Sequence, residues 1–239
     1  MIAFDIIAFD ADDTLWHSER LYADVQKQFT QLLANYHAPE WINDHLYQTE
    51  TRNIQHFGYG IKAFALSLIE TAIELTEGRI SSKDIQEIVG WAKKMLTSDV
   101  ELLPHVGQII PQLSSQYPMM IITKGDLLDQ ETKIKKSGLG KYFQHIEIVS
   151  QKTFEGYEKL LKKYSVEPSR FMMIGNSLPS DILPVLKLGG SAVYIPYEIT
   201  WLHETAEQPP RDHAGFYELE SLGQLPLLLE RLTQNRAIT

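Results

Sequence analysis

The first apolar run of the chain ends in Asp10-Ala11-Asp12-Asp13-Thr14. Carboxylates at i and i+2 of an extended segment point to the same side, so Asp10 and Asp12 are expected to project into one crevice. Like charges that close raise each other's pKa unless a cation neutralises them, and an all-oxygen cluster suits a hard ion such as Mg²⁺. Asp and Thr are also ordinary loop and cap formers, a role open to Asp13 and Thr14. Three more candidate groups stand after later apolar runs. Thr123-Lys124-Gly125 offers a hydroxyl and backbone amides at a helix start, a ready anion site. Lys152, in Ser150-Gln151-Lys152, puts an ammonium where a phosphate could be neutralised. Gly175-Asn176-Ser177-Leu178-Pro179-Ser180-Asp181 closes with an acid near a helix N-terminus. Each has a plain structural explanation alone: a Thr before a turn glycine, a solvated lysine, a helix capped by Ser180 or Asp181. Together, in chain order, each supplies something that one reaction requires.

The elements that must position these groups follow from hydrophobic periodicity. Ile2–Phe9, Met119–Thr123, Ile146–Val149, Phe171–Ile174 and Ala192–Ile195 are short apolar runs of strand length, and Phe216–Leu219 is a candidate edge strand. Helical patterns separate the later strands, at Val106–Gln116, Leu127–Lys136, Phe154–Tyr164, Ile182–Leu188 and Leu225–Thr233. Lys133, Lys135 and Lys136 in the second of these suit a helix dipole. Strands alternating with helices imply a parallel sheet with right-handed crossovers. Between Ser18 and Ser98 the pattern is helical throughout, with a first helix N-capped by Ser18. Further helices are expected at Trp41–Gln55, Ile61–Thr76 and Lys83–Leu96. Ser81 stands three residues before Asp84, as in a capping box. The expected fold is therefore α/β, a doubly wound parallel-sheet, Rossmann-like core of residues 1–16 and 100–239, with an all-helical cap at 17–99. Ligands of such sheets collect outside the carboxyl ends of the strands.

This set resembles the haloacid dehalogenase superfamily, whose first motif is an apolar strand followed by Asp-x-Asp-x-Thr or Val, matched by Asp10, Asp12 and Thr14. Thr123 resembles its second motif, Lys152 its third and Gly175 to Asp181 its fourth. Asp13-Thr14-Leu15-Trp16 resembles the squiggle and flap that open and close such sites, and the helical block resembles the family's cap. The resemblance implies a phosphoric monoester hydrolase in which Asp10 attacks phosphorus and forms an aspartyl-phosphate. It implies Mg²⁺ held by Asp10, the Asp12 carbonyl, Asp181 and Asn176, directly or through water. Lys152, the Thr123 hydroxyl and the Lys124 amide would hold the phosphoryl group. Asp12 would be general acid and then base, with a pKa nearer neutrality than a free Asp. Asn176 stands where an acid is common, Lys124 where an Asn is common, and the Pro that often follows the lysine is missing. Dehalogenating members lack the second Asp of the first motif, so Asp12 argues for phosphoryl transfer.

Composition narrows the partners. The 239 residues carry 22 Lys and Arg against 31 Asp and Glu, a net charge of −9, which disfavours stable nucleic-acid binding. There is no Cys, which removes disulfides, thiolate metal sites and cysteine nucleophiles. No apolar run is long enough to span a bilayer and the N-terminal residues do not form a secretory signal, so the expected address is the cytoplasm, with no membrane partner. The expected ligand is a small phosphorylated metabolite, such as a nucleoside monophosphate or sugar phosphate. A phosphomutase and a catalytically weak protein that binds a phosphorylated ligand are the competing readings. In the insert, Arg52, His56 and Lys62 could meet a charged leaving group, although each is more often an exposed helix residue. Trp16 and Trp201 are candidates for the entrance or for packing. The loop Pro196–Glu204 follows the fifth strand and so falls on the ligand side, without an assigned role. Pro209-Pro210 marks a further loop.

Overall fold

A computed structural model describes residues 4–201, 204–207, 209 and 213–236. Ile2 and Ala3 of the expected first strand, Leu202 and His203 of the loop after the fifth strand, and Pro210 lie outside the described residues. Six strands, β1 (Ile6–Phe9), β2 (Met119–Lys124), β3 (His145–Val149), β4 (Phe171–Gly175), β5 (Ser191–Tyr194) and β6 (Phe216–Glu218), form one sheet in the order β3-β2-β1-β4-β5-β6. Every pairing is parallel. The order runs outward from β1 to β3, then restarts at β4 on the other side of β1. The crevice between β1 and β4 is thus the switch point at which such sheets bind ligands.

The strands are apolar because both faces of the sheet are covered. Ile7, Phe9, Met119, Ile121, Met172, Ile174 and Val193 belong to one buried cluster. Their neighbours Ile6, Ala8, Met120, Ile122, Phe171, Met173 and Ala192 belong to the other, as a period of two requires. Helices α5 (Val106–Ser114), α6 (Leu127–Ser137), α7 (Phe154–Tyr164), α8 (Leu183–Lys187) and α9 (Leu225–Arg236) accompany the strands. Where a single helix over Ile182–Leu188 is expected, a π-type turn over Leu178–Ile182 comes first and α8 starts one residue later. The Leu183 N–H reaches back five residues to the Leu178 carbonyl. Pro184 has no N–H to give and its ring crowds the carbonyl four residues earlier, which opens the turn.

The chain divides into two compact units: residues up to Glu19 with Val100–Lys124 and everything from Lys133 onward, and Arg20–Asp99 with Gly125–Thr132. The second unit contains α1 (Glu19–Leu32) from Arg20 on, α2 (Pro39–Phe57), α3 (Ile61–Leu75) and α4 (Ser82–Thr97). Its core is made of Val25, Phe29, Ile42, Leu46, Phe64, Leu68, Ile88 and their neighbours. Ser81 and Asp84 form the expected capping box, Ser81 Oγ accepting the Asp84 N–H at 3.1 Å. The opening of α1 is capped differently from expectation. Asp13, in the left-handed region at φ 59°, accepts the Ser18 N–H at 2.8 Å and the Glu19 N–H at 3.0 Å. Two amides on one carboxylate make a stronger cap than the Ser18 hydroxyl would. Among the described residues no helix is long and apolar enough to cross a membrane.

Candidate active site

Asp10 leaves the end of β1 with its N–H still donated to the Ile174 carbonyl of β4 at 2.8 Å, so the sheet ladder fixes its backbone. The Lys152 ammonium donates to Asp10 Oδ1 and, at 2.7 Å, to Asp181 Oδ1. All three side chains are buried, Lys152 to 2% exposure and Asp181 to 0%. Burial pushes the Asp10 carboxyl well above the usual carboxylate range, against the pull of Lys152, and the charges of Asp181 and Asp12 add to the rise. Burial disfavours the charge on Lys152 as well, but the two carboxylates outweigh it and hold the ammonium above its ordinary value. One ammonium thus serves two buried carboxylates, and the surplus negative charge makes the site receptive to a further cation. Asp181 Oδ2 accepts the Ser177 N–H at 3.1 Å. Gly175 is required for this packing, because a Cβ there would lie 2.2 Å from Asp181 Oδ2. Asp181, expected as a metal ligand, has Oδ1 on the Lys152 ammonium and Oδ2 on the Ser177 N–H.

Asn176 brings its amide to a cluster of oxygens. The end of its amide lies 3.1 Å from Thr14 Oγ1, 3.1 Å from Asp10 Oδ2 and 3.2 Å from the Asp12 carbonyl oxygen. With the amide oxygen turned inward, Thr14 donates to it, while Asn176, Asp10 and Asp12 present three acceptors to one another, an arrangement that a cation resolves. With the amide turned over, its NH₂ donates to all three oxygens. Ligand oxygens on adjacent corners of an octahedral Mg²⁺ site at about 2.1 Å lie about 3 Å apart, so this oxygen set fits the ion. Among the described residues no three His, Cys, Asp or Glu side chains form a metal cage. The candidate ligands are therefore one carboxylate, one amide oxygen and one main-chain carbonyl.

The Asp12 side chain does not join that set. Trp16 Nε1 donates to its Oδ1 at 2.7 Å, and the Lys133 ammonium reaches both oxygens at 3.0 Å. Trp16 is itself buried, so it is a packing residue that also orients Asp12, not an entrance residue. Lys133 serves this carboxylate and not only the helix dipole. The spacing of Asp12 and Trp16, i and i+4 across a tight turn, was a usable local signal for the first contact; Lys133 lies 121 residues away. Asp13 points instead to the start of α1, and burial raises its carboxyl to about 7.

On the β2 side, Phe9 pairs with Ile121, which brings the buried Thr123 level with the turn after Asp10. Lys124 follows, and its ammonium donates to Ser180 Oγ at 3.1 Å and to Glu204. Burial, reinforced by Lys152, lowers the Lys124 ammonium to about 8. Glu204 also accepts from the Ser177 hydroxyl and, at 2.8 Å, from Ser180 Oγ. The loop after β5 thus returns to the site, and it is held a second time by Tyr197, whose hydroxyl lies 2.6 Å from His17 Nδ1. Tyr157, fully buried, donates its hydroxyl to the Ser180 carbonyl at 3.1 Å and steadies the same turn. Neither Glu204 nor Tyr157 belongs to a motif; the place of the loop Pro196–Glu204 after the fifth strand put it on the ligand side but gave Glu204 no role, and nothing in the sequence pointed to Tyr157. Trp201 is half-buried, and its carbonyl accepts the Glu204 N–H at 2.8 Å.

The candidate recognition residues of the insert are satisfied within their own unit. Arg52 donates to Glu74 at 3.1 Å and lies 3.7 Å from Glu70, and Lys62 pairs with Asp126 at 2.9 Å. His56 is exposed and packs edge-on against Phe57.

Comparison with known proteins agrees with this geometry. A haloacid dehalogenase-like hydrolase family model matches residues 4–189. A solved haloacid dehalogenase-like family hydrolase from Xanthomonas campestris is 36% identical, with a TM-score of 0.87 and full coverage of both chains. The glyceraldehyde 3-phosphate phosphatase of Pyrococcus furiosus is 30% identical over 48% of this chain and 48% of its own. The chain thus spans about half the length of that phosphatase. The pyrimidine 5'-nucleotidase YjjG of Escherichia coli is 23% identical over 95% of this chain and 98% of its own. The chain is an enzyme that belongs to the haloacid dehalogenase-like hydrolases.

Proposed function

We propose that this enzyme is a Mg²⁺-dependent phosphatase that hydrolyses small phosphate monoesters through an aspartyl-phosphate on Asp10. The observation that carries the reading is the buried Asp10–Lys152–Asp181 array at the switch point, beside the converging oxygens of Asn176, Asp10 and Asp12. Two of the curated relatives are named as a phosphatase and a nucleotidase, which supports a phosphate ester over a haloacid.

The roles of the residues follow from charge. A phosphate monoester dianion repels the carboxylate that must attack it, so the site has to cancel charge before the bond forms. Lys152, locked by Asp181, places an ammonium on Asp10 Oδ1 and on the incoming phosphoryl group. Asp10 Oδ2 is the oxygen that faces Asn176 and the Asp12 carbonyl. Mg²⁺ bound there would supply Lewis-acid polarisation of the phosphoryl group and would draw the Asp10 carboxyl down to its ionised, nucleophilic form. Thr123 and the backbone amide after it offer hydrogen bonds to the remaining phosphoryl oxygens. Asp12, set two residues along and oriented by Trp16 and Lys133, donates a proton to the leaving alcohol. It then takes one from the water that hydrolyses the intermediate.

A panel of phosphate esters tests this, assayed for released inorganic phosphate with Mg²⁺ and with EDTA, on wild type and on Asp10→Asn. Turnover with Mg²⁺, its loss in EDTA and a fall of ~10³-fold or more in Asp10→Asn are expected. Ordinary turnover by Asp10→Asn, or halide release from 2-haloacids in place of phosphate release, would overturn the assignment.

A further inference from the structure

Glu204 lies outside every motif of the sequence, yet three donors meet its carboxylate. The Lys124 ammonium donates to Oε1, and the Ser177 and Ser180 hydroxyls donate to Oε2. Lys124 also donates to Ser180 Oγ at 3.1 Å, so ammonium, hydroxyl and carboxylate close on one another. The Glu204 side chain is 13% exposed and that of Lys124 19%, so water and salt screen the pair little. This is the geometry of an anion cradle that the chain fills with a residue of its own. The cradle stands beside the reacting groups, for Lys124 follows Thr123 at the end of β2 and the Ser177 N–H donates to Asp181 Oδ2 at 3.1 Å.

The charges around the phosphoryl position show what Glu204 changes. Lys152 is committed to Asp10 and Asp181, Lys133 to Asp12, and Lys124 to Glu204. If position 204 were neutral, a second anionic group would meet the Lys124 ammonium without the opposing carboxylate of Glu204. With Glu204 present, such a group meets a carboxylate in a poorly screened site. We propose that Glu204 is a specificity-determining residue: it excludes phosphate esters whose leaving group carries a carboxylate or a second phosphate, and admits esters of neutral alcohols such as polyols, sugars and nucleosides. This deepens the phosphatase reading and rests on it.

Two esters of similar size separate the two claims, glycerol 3-phosphate with a neutral leaving group and 3-phosphoglycerate with a carboxylate. Their kcat/KM values are measured on wild type, Glu204→Gln and Glu204→Asp, and their Kd values by calorimetry on the same three proteins carrying Asp10→Asn. Wild type should favour the neutral ester by about tenfold or more, the effect expected of one unit charge in a partly screened site. Glu204→Gln should shift both ratios by about tenfold toward 3-phosphoglycerate, and Glu204→Asp, which keeps the charge, should hold the wild-type preference. Unchanged ratios in a folded Glu204→Gln protein, or failure of both esters to bind, would overturn the role of Glu204. If neither ester is hydrolysed but the Kd ratio shifts as stated, the selectivity stands and the phosphatase reading falls.

Discussion

The two units use burial differently. Between residues 20 and 99 the buried polar side chains are neutral, namely Thr49, Asn53, Ser67, Thr71 and Thr76, around an apolar core of four helices, and among the described residues Asp129, of the 125–132 segment, is the one buried acid of that unit. Charged groups there, such as Arg52 with Glu74, stay about half exposed. In the sheet unit the chain buries Asp10, Asp13, Lys152 and Asp181 outright. Burying a charge is costly unless it is paired, and its repeated burial past the carboxyl ends of the strands marks that end of the sheet as the candidate site. On the proposed reading the helical unit serves mainly for packing, and the strand ends of the sheet unit carry the reaction.

Substitutions should therefore have unequal consequences. The largest is expected at Lys152. Lys152→Met removes the one ammonium between two buried carboxylates, and should cost roughly 3 kcal/mol of stability by denaturant unfolding and ~10²-fold or more in kcat. Lys133→Ala comes next. It removes one of the donors on Asp12 without touching Asp10, and kcat should fall by about tenfold with a smaller change in KM. A loss confined to KM would mean that Lys133 binds substrate and does not orient Asp12.

The pH dependence of stability sharpens the contrast further. Asp13 is raised by burial from 3.8 to about 7 in the folded protein. Over that window the native state binds more protons at this residue than the unfolded chain does. Its contribution is therefore fully present below about pH 4 and is lost as pH rises toward 7. Unfolding followed from pH 4 to pH 8 should show a flatter fall in Asp13→Asn than in wild type. The smallest effect is expected in the helical unit. Arg52→Ala breaks an exposed pair with Glu74 and should change stability by no more than about 1 kcal/mol. A large loss of turnover in Arg52→Ala would instead give the insert a direct part in substrate binding and weaken the contrast.

Much of the fold is legible in the sequence because its signals are local. Buried parallel strands read as unbroken apolar runs, and the capping box at Ser81 declares itself within four residues. The core of the site is legible for a related reason. In a doubly wound sheet the residues just past each strand converge, so Asp10, Thr123, Lys152 and the Gly175–Asp181 loop could be assembled without coordinates. The groups that tune those residues were not. Lys133 meets Asp12 across 121 residues, and Glu204 meets Lys124 across 80, through a loop whose path no periodicity encodes. The different contacts of Asn176 and Asp181 were also hidden, because they depend on the π-type turn at Leu178–Ile182 and on the closeness of Gly175 to Asp181.

The most direct test of the account is to trap the covalent intermediate. A turning-over reaction with Mg²⁺ and a small phosphate ester is quenched in acid, digested and mapped by mass spectrometry. The account predicts a phosphoryl adduct on the peptide that contains Asp10, present in wild type and absent in Asp10→Asn. An adduct on another residue, or substrate turnover with none on Asp10 even when a Lys133→Ala or Asp12→Asn background slows hydrolysis of the intermediate, would contradict it.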